Sequence, residues 1–173
     1  MDNAVVVEAL ADGLTNGGFE TSHTAIGDQQ ALVARRSEFR WEWVASHMHT
    51  FVVVFAVGGL DPKRAQALST EAQDFAIKHK GGLPRGLQTG TATIVVVIPD
   101  EDDEDSVRWF RQQPKHRYAA LLFPVLARPG SEELVYFTGH WSRGDIYRDY
   151  LFGIVRDIVA PALDGALTGP SKG

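Results

Sequence analysis

Two histidines flank a methionine in the stretch His47-Met48-His49. Alternate side chains of a strand share a face, so both imidazoles would project together and could share a metal ion. A third ligand would have to come from His79, His116, His140 or a carboxylate, and no second cluster has ligand spacing. The pair His47 and His49 is therefore a weak metal candidate, and no cofactor is expected. The simpler reading makes residues 46–49 a hairpin turn.

The segment from Gly81 to Gly90, GGLPRGLQTG, holds four glycines and one arginine. Glycine lets backbone N–H groups approach a ligand closely, and a guanidinium pairs with anions. Arg85, Gly86 and Gln88 are its binding candidates. No Gly-Lys-Ser/Thr ends the segment, and it leads into a strand, so it is neither a P-loop nor a dinucleotide fingerprint. Its simpler reading is a helix C-cap and a turn.

His140-Trp141-Ser142-Arg143-Gly144-Asp145 gathers a base, a hydroxyl, a cation and a carboxylate. A serine hydrolase needs those groups together in space, and no Gly-x-Ser-x-Gly elbow surrounds Ser142. His140 and Arg143 are retained as ligand-binding candidates. Ser142 with Asp145 three residues on suits a capping box.

Six acids run from Asp100 to Asp105 without the spacing or central glycine of a calcium loop. They suit the positive end of a following helix. Arg108, Arg111, Lys115 and Arg117 follow, interleaved with Trp109, Phe110 and Tyr118. Such a strip can hold single strands of nucleic acid, an acidic partner, or the neighbouring acids of its own chain. The chain carries a net charge of -5, so no nucleic-acid partner is expected.

These groups must be positioned by elements that the pattern predicts. Residues 3–16 read as a helix capped by Asp2 or Asn3, with Val7, Leu10, Ala11 and Leu14 at helical spacing. Strands are predicted at 31–36, 39–46 and 50–57. In the second, Phe39, Trp41, Trp43 and Ala45 alternate with polar residues, so they would form one aromatic face. Short connections make the three an antiparallel meander. Asp61-Pro62 opens a helix ended by Gly81-Gly82. A buried strand at 91–98, a short helix at 106–113 and a hairpin of 117–127 with 133–139 follow. The turn Arg128-Pro129-Gly130-Ser131 suits type II, and Pro124 makes the first hairpin strand an edge or a bulge. A last helix spans about 145–160, where Pro161 bends or ends it.

The predicted order is α-β-β-β-α-β-α-β-β-α. It describes a single α+β domain, residues 1–167, with one antiparallel or mixed sheet and helices mainly on one face. Residues 168–173 read as a flexible tail. Leu, Ile, Val and Phe supply 47 of 173 residues, enough for one core. Cysteine is absent, which removes disulfides and thiol chemistry. No apolar run approaches a membrane span, and the start lacks a basic leader, so a cytoplasmic protein is expected.

The early element order is loosely similar to a restriction-nuclease core. That chemistry needs an Asp on one strand and Glu-x-Lys on the next; Asp28 and Glu42-Trp43-Val44 offer Val in place of Lys. In size, charge and element order the chain also resembles secretion chaperones and toxin-neutralising immunity proteins. The expectation is a non-catalytic protein-binding module. Its contact residues would be Trp41, Trp43, Trp109 and Tyr118, with a homodimer through an edge strand as one form. The alternative is a small-ligand protein or enzyme using the 81–90 loop, Arg85 and nearby histidines.

Overall fold

A computed structural model of the chain describes residues 2–43, 46–81, 89–128, 131 and 133–168. The expected loop residues Arg85, Gly86 and Gln88, the Pro129-Gly130 turn and most of the C-terminal tail lie outside the described residues.

Six strands form one mixed sheet whose spatial order follows the sequence. They are β1 (Glu20–Ile26), β2 (Gln29–Arg40), β3 (Ser46–Gly59), β4 (Thr89–Glu101), β5 (Ala120–Arg128) and β6 (Glu133–Val135). The first three are antiparallel neighbours, β3, β4 and β5 run parallel, and β6 returns antiparallel to β5. The parallel pairs need crossovers, which are supplied by α2 (Pro62–His79) and α3 (Glu104–Phe110). The order of element types is the expected one, and the chain is an α+β single-sheet protein.

The helices do not keep to one face, as the sequence had suggested. Strands β3 and β4 are apolar on both sides, and each side needs cover. On one side Val52, Val54, Ile94 and Ile98 pack with Leu10 and Leu14 of α1 (Asn3–Asn16). Leu151 and Ile154 of α4 (Arg148–Ile154) and Leu163 of α5 (Ala160–Thr168) complete that layer. On the other side Phe51, Val53, Val95 and Val97 pack with Leu68, Ala72 and Ala76 of α2 and with Val107 and Phe110 of α3. The result is a three-layer arrangement.

The caps follow local chemistry. Asp2 accepts from the Ala4 N–H, Asp61 from the Arg64 N–H at 2.7 Å, and Asp103 from the Ser106 N–H. Asp61→Ala is expected to lower stability by about 1 kcal/mol, read as a fall in urea midpoint with unchanged slope. An unmoved midpoint would remove the cap from the account. The acid run is spent on structure: Asp103 caps α3, Asp102 takes a forked pair from Arg128, Asp105 pairs with Arg108, and Asp100 accepts from Asn3. The basic strip is likewise engaged, Arg111 with Glu133 and Arg117 with Asp74.

Three expectations need correction. First, β2 and β3 end and begin around a one-turn 3-10 helix at Trp41–Trp43, so 39–46 is not a strand. Residues 20–26, read as no element, are the edge strand β1. Second, Ser142 does not cap the closing helix. Gly144, with φ of 73°, precedes a 3-10 turn at Asp145–Tyr147, and Asp145 accepts instead from the Trp141 N–H at 3.0 Å. Third, Pro161 does not stop the closing helix. A π segment at Val155–Val159 separates α4 from α5, and the helix runs on to Thr168. A widened turn before a proline eases the clash of its ring with the carbonyl four residues back.

Pro124 sits inside β5 and needs no bulge. The Leu122 N–H points away from β4, to His116, and Pro124 two residues on shares that direction. The short β6 reaches only Leu126 to Arg128, so no partner there asks Pro124 for a donor. Among the described residues no helix is long and apolar enough to cross a membrane.

Candidate functional site

Parallel strands β3, β4 and β5 start at the same end of the sheet, and β2 finishes there. On the α4 side of that end lies a cleft of about 280 Å³. Met48, Gly90 and Leu121 form its floor, and His116, Tyr118, Arg143 and Tyr147 stand around it. The sequence had pointed separately to Arg143, to Tyr118 and to the far end of the 81–90 loop. The fold brings them to one place, because Thr89 and Gly90 begin β4, Tyr118 precedes β5, and the 141–147 segment crosses below.

The cleft has built-in backbone constraints. Residues 117 and 120 exchange both backbone hydrogen bonds, a tight turn that holds Ala119 at φ of 48°. That left-handed conformation is unusual for a residue with a Cβ. The Ala119 carbonyl accepts from the Thr91 N–H, tying the turn to β4. Gly144 also has positive φ, and a Cβ there would stand 2.5 Å from the Leu121 side chain. Only glycine fits that wall.

His116 was named in the sequence only as a remote metal ligand. Its Nδ1 accepts from the Leu122 N–H at 3.1 Å, so in the neutral ring the proton sits on Nε2. That Nε2 is buried and has no hydrogen-bond partner among the described residues. The ring packs against Trp141, 4.9 Å between centroids. Burial pushes its pKa down to about 4. With one lone pair occupied and the other nitrogen protonated, His116 is a poor general base and a good neutral N–H donor. Burial also pushes the Tyr147 phenol up, which keeps it protonated. Arg143 is exposed and has no ion-pair partner among the described residues. Arg117 also lines the cleft, but Asp74 of α2 holds it. The cleft therefore presents the exposed Arg143 guanidinium beside aromatic surface, while the His116 Nε2 stays buried.

The other candidates fall elsewhere. His140 is exposed, pairs with Asp145 at 3.5 Å and is not a wall of the cleft. His47 and His49 do share a face, on β3 rather than in a turn, and they face the α2 side. No group of three metal-ligand side chains occurs among the described residues. Asp28 lies before β2 and Glu42 beyond its end; twelve residues of strand separate them by about 40 Å, so no nuclease pair forms.

The aromatic candidates divide. Trp41 is 78% exposed and Trp43 only 3%. Trp43, expected on an interface, belongs to the core, edge-on to Tyr147 and Tyr150 at about 5 Å and under the Arg40 guanidinium. Trp41 instead meets Phe39, which meets His47. Trp109 is half-buried against Phe110. A network with no signal in the residue pattern fixes this corner: Arg36 donates to the Gly17 carbonyl and the Tyr150 hydroxyl, which also meets Thr50 at 3.0 Å.

A second cleft, about 290 Å³, lies between α1, α5 and the β5–β6 end, lined by Val6, Leu134, Tyr136 and Leu163. Its charged walls Arg128 and Arg156 are held by Asp102 and Asp157. No known protein family matches the chain, and neither a curated protein nor a solved structure matches it.

Proposed function

We propose that the protein is a binding module that docks a protein partner through the end of the sheet where β3, β4 and β5 begin. One observation carries the reading. Of the five large hydrophobic side chains exposed on the described surface, four lie at that end: Phe39, Trp41, Tyr118 and Ile146. Exposed aromatic and aliphatic side chains gathered at one end of a sheet are what protein interfaces use as anchors. The fifth, Val5, is on α1 near the opposite end.

The test is photo-crosslinking from single positions in extract of the native cell. Probes at Trp41, Tyr118 and Ile146 should capture one common partner, and a probe at Val5 should not. A different set from each position, or equal capture from Val5, overturns the reading. Homodimerisation is the second form of the same reading, supported by β1, whose seven residues leave one edge unpaired. Crosslinks between two copies would then run through β1. A cysteine-free chain accords with a cytoplasmic setting.

The alternative, a small-ligand protein, draws support from the size of the cleft and from Arg143 at its wall. Native mass spectrometry of the purified chain separates the two. Retained mass beyond the chain, lost in Arg143→Gln, favours the ligand; the bare chain mass favours the docking module.

A further inference from the structure

The two edges of the sheet are finished differently. On the β5 edge each N–H that faces away from β4 is answered or missing. The Ala120 N–H donates to the Arg117 carbonyl and the Leu122 N–H to His116, Pro124 has none, and β6 covers Leu126 to Arg128. That edge has no N–H left for a further strand.

The β1 edge has no such finish. Its seven residues pair with β2 without a break, and they include no proline and no lysine. Gly27 and Asp28 form a two-residue turn, so Ile26 and Gln29 are its hydrogen-bonded ends. Alternation from that pair sends the backbone of Ser22 and Thr24 towards β2 and that of Thr21, His23 and Ala25 outward. Among the described residues no hydrogen bond reaches those outward N–H and C=O groups. A strand exposed in this way can add another through main-chain bonds, and its flanks then select the partner.

Both flanks are acidic. Residues 1–30 hold five acids and no lysine or arginine. On the α1 side Glu8 reaches His23 and Thr15 reaches Thr21, so Asp12, on the same face of the helix, also lies along β1. On the α2 side stand Glu20 and Glu71, and a Cβ on Gly27 would lie 2.6 Å from the Glu71 carboxylate. Asp12, Glu20, Asp28 and Glu71 have no ion-pair partner among the described residues. The arginines of β2 are turned to other groups: Arg36 donates to the Gly17 carbonyl and Tyr150, and Arg35 lies over the Phe51 ring. Two copies joined edge to edge would set these acids against one another, whereas a basic strand would neutralise them.

We propose that β1 accepts an extended basic segment of a partner protein as a further strand of the sheet. The outward backbone of Thr21, His23 and Ala25 holds it, and the acids on either side select its charge. The inference goes beyond the docking reading, because it uses a sheet edge and not the end that carries Trp41, Tyr118 and Ile146. Either can fail alone, and only the homodimer form competes for β1.

The experiment is an amide NMR titration at low salt with the peptide Lys-Thr-Val-Lys-Val-Thr-Lys and with its counterpart in which each Lys is Glu, both blocked at their ends. The basic peptide should bind saturably, about tenfold or more tighter than the acidic one. It should slow exchange of the Thr21, His23 and Ala25 amide protons, and change those of Ser22 and Thr24 far less. Ala25→Pro removes one outward N–H without touching the ladder to β2, and should abolish the added protection. Asp12→Asn with Glu20→Gln leaves the strand intact, and should weaken the basic peptide about threefold or more. Equal affinity for the two peptides, no protection of the outward amides, or unchanged binding by the charge variant overturns the proposal. Protection that appears without peptide and grows with protein concentration also overturns it, and assigns the edge to a second copy.

Discussion

Trp43→Ala is expected to cost about 3–5 kcal/mol of folding stability, while Trp41→Ala changes it by less than about 0.5 kcal/mol. One residue separates the pair in sequence, and a strand would give them one environment. The 3-10 turn gives them opposite ones. Trp43 fills the space between β2 and the closing helix, edge-on to Tyr147 and Tyr150, with Arg40 over its ring. Removing it leaves a cavity that these neighbours cannot close, since Tyr150 is also held by Arg36 and Thr50. Trp41 touches only the rim ring of Phe39 among the described aromatic contacts. Urea unfolding of the two variants checks this directly. Equal losses would restore the strand with one aromatic face and remove Trp41 from the docking surface.

The second large effect is on pH. His116 has an ordinary pKa of 6.5 when unfolded and about 4 in the fold. The fold favours its neutral form, so the stability it contributes is complete above about pH 6.5. That stability is lost as pH falls from 6.5 towards 4, because the unfolded chain takes up the proton first. A shift of that size is about 3 kcal/mol before screening, and solvent reaching the part-exposed ring reduces the loss to roughly 1–2 kcal/mol. The cause is visible in the contacts: protonation turns Nδ1 from acceptor to donor, facing the Leu122 N–H, beside Trp141. His49, whose pKa is also held down, adds to the loss in the same direction. Aspartates 103, 145 and 157, held below their ordinary range, lose their contribution only at lower pH. His116→Gln keeps an acceptor without a titrating proton, so its stability should fall with a distinctly shallower slope across that window, the remainder coming from His49. Unfolding free energies against pH for both proteins decide the matter. Parallel slopes would show that His116 is not the titrating group.

Much of the frame is legible in the residues. Asp2 and Asp61 are short acids placed before apolar stripes, and a cap is a local bargain between a side chain and the next N–H groups. Runs such as 52–54 and 94–98 are apolar on both faces and can only be central strands. That same property should have predicted cover on both sides, and the one-sided expectation overlooked it. β1 was not legible because an edge strand facing solvent has the composition of a loop; Glu20, Ser22 and Thr24 carry no apolar alternation.

The candidate site was legible only in pieces. Arg143 and Tyr118 stood out as a loose cation and an exposed aromatic group, but nothing in their spacing joined them. His116 carried almost no signal, because its role depends on an acceptor bond to Leu122 and on the burial that lowers its pKa.

By itself the sequence determined the caps at Asp2 and Asp61, the central strands and the lack of thiol chemistry, since each rests on composition or on neighbours within a few residues. The tertiary structure alone decided which of two tryptophans is core, which histidines face which layer, and which loops meet at the start of β3, β4 and β5. Those outcomes depend on strand register and on the packing of distant segments, and a shift of one residue would send each side chain to the other face.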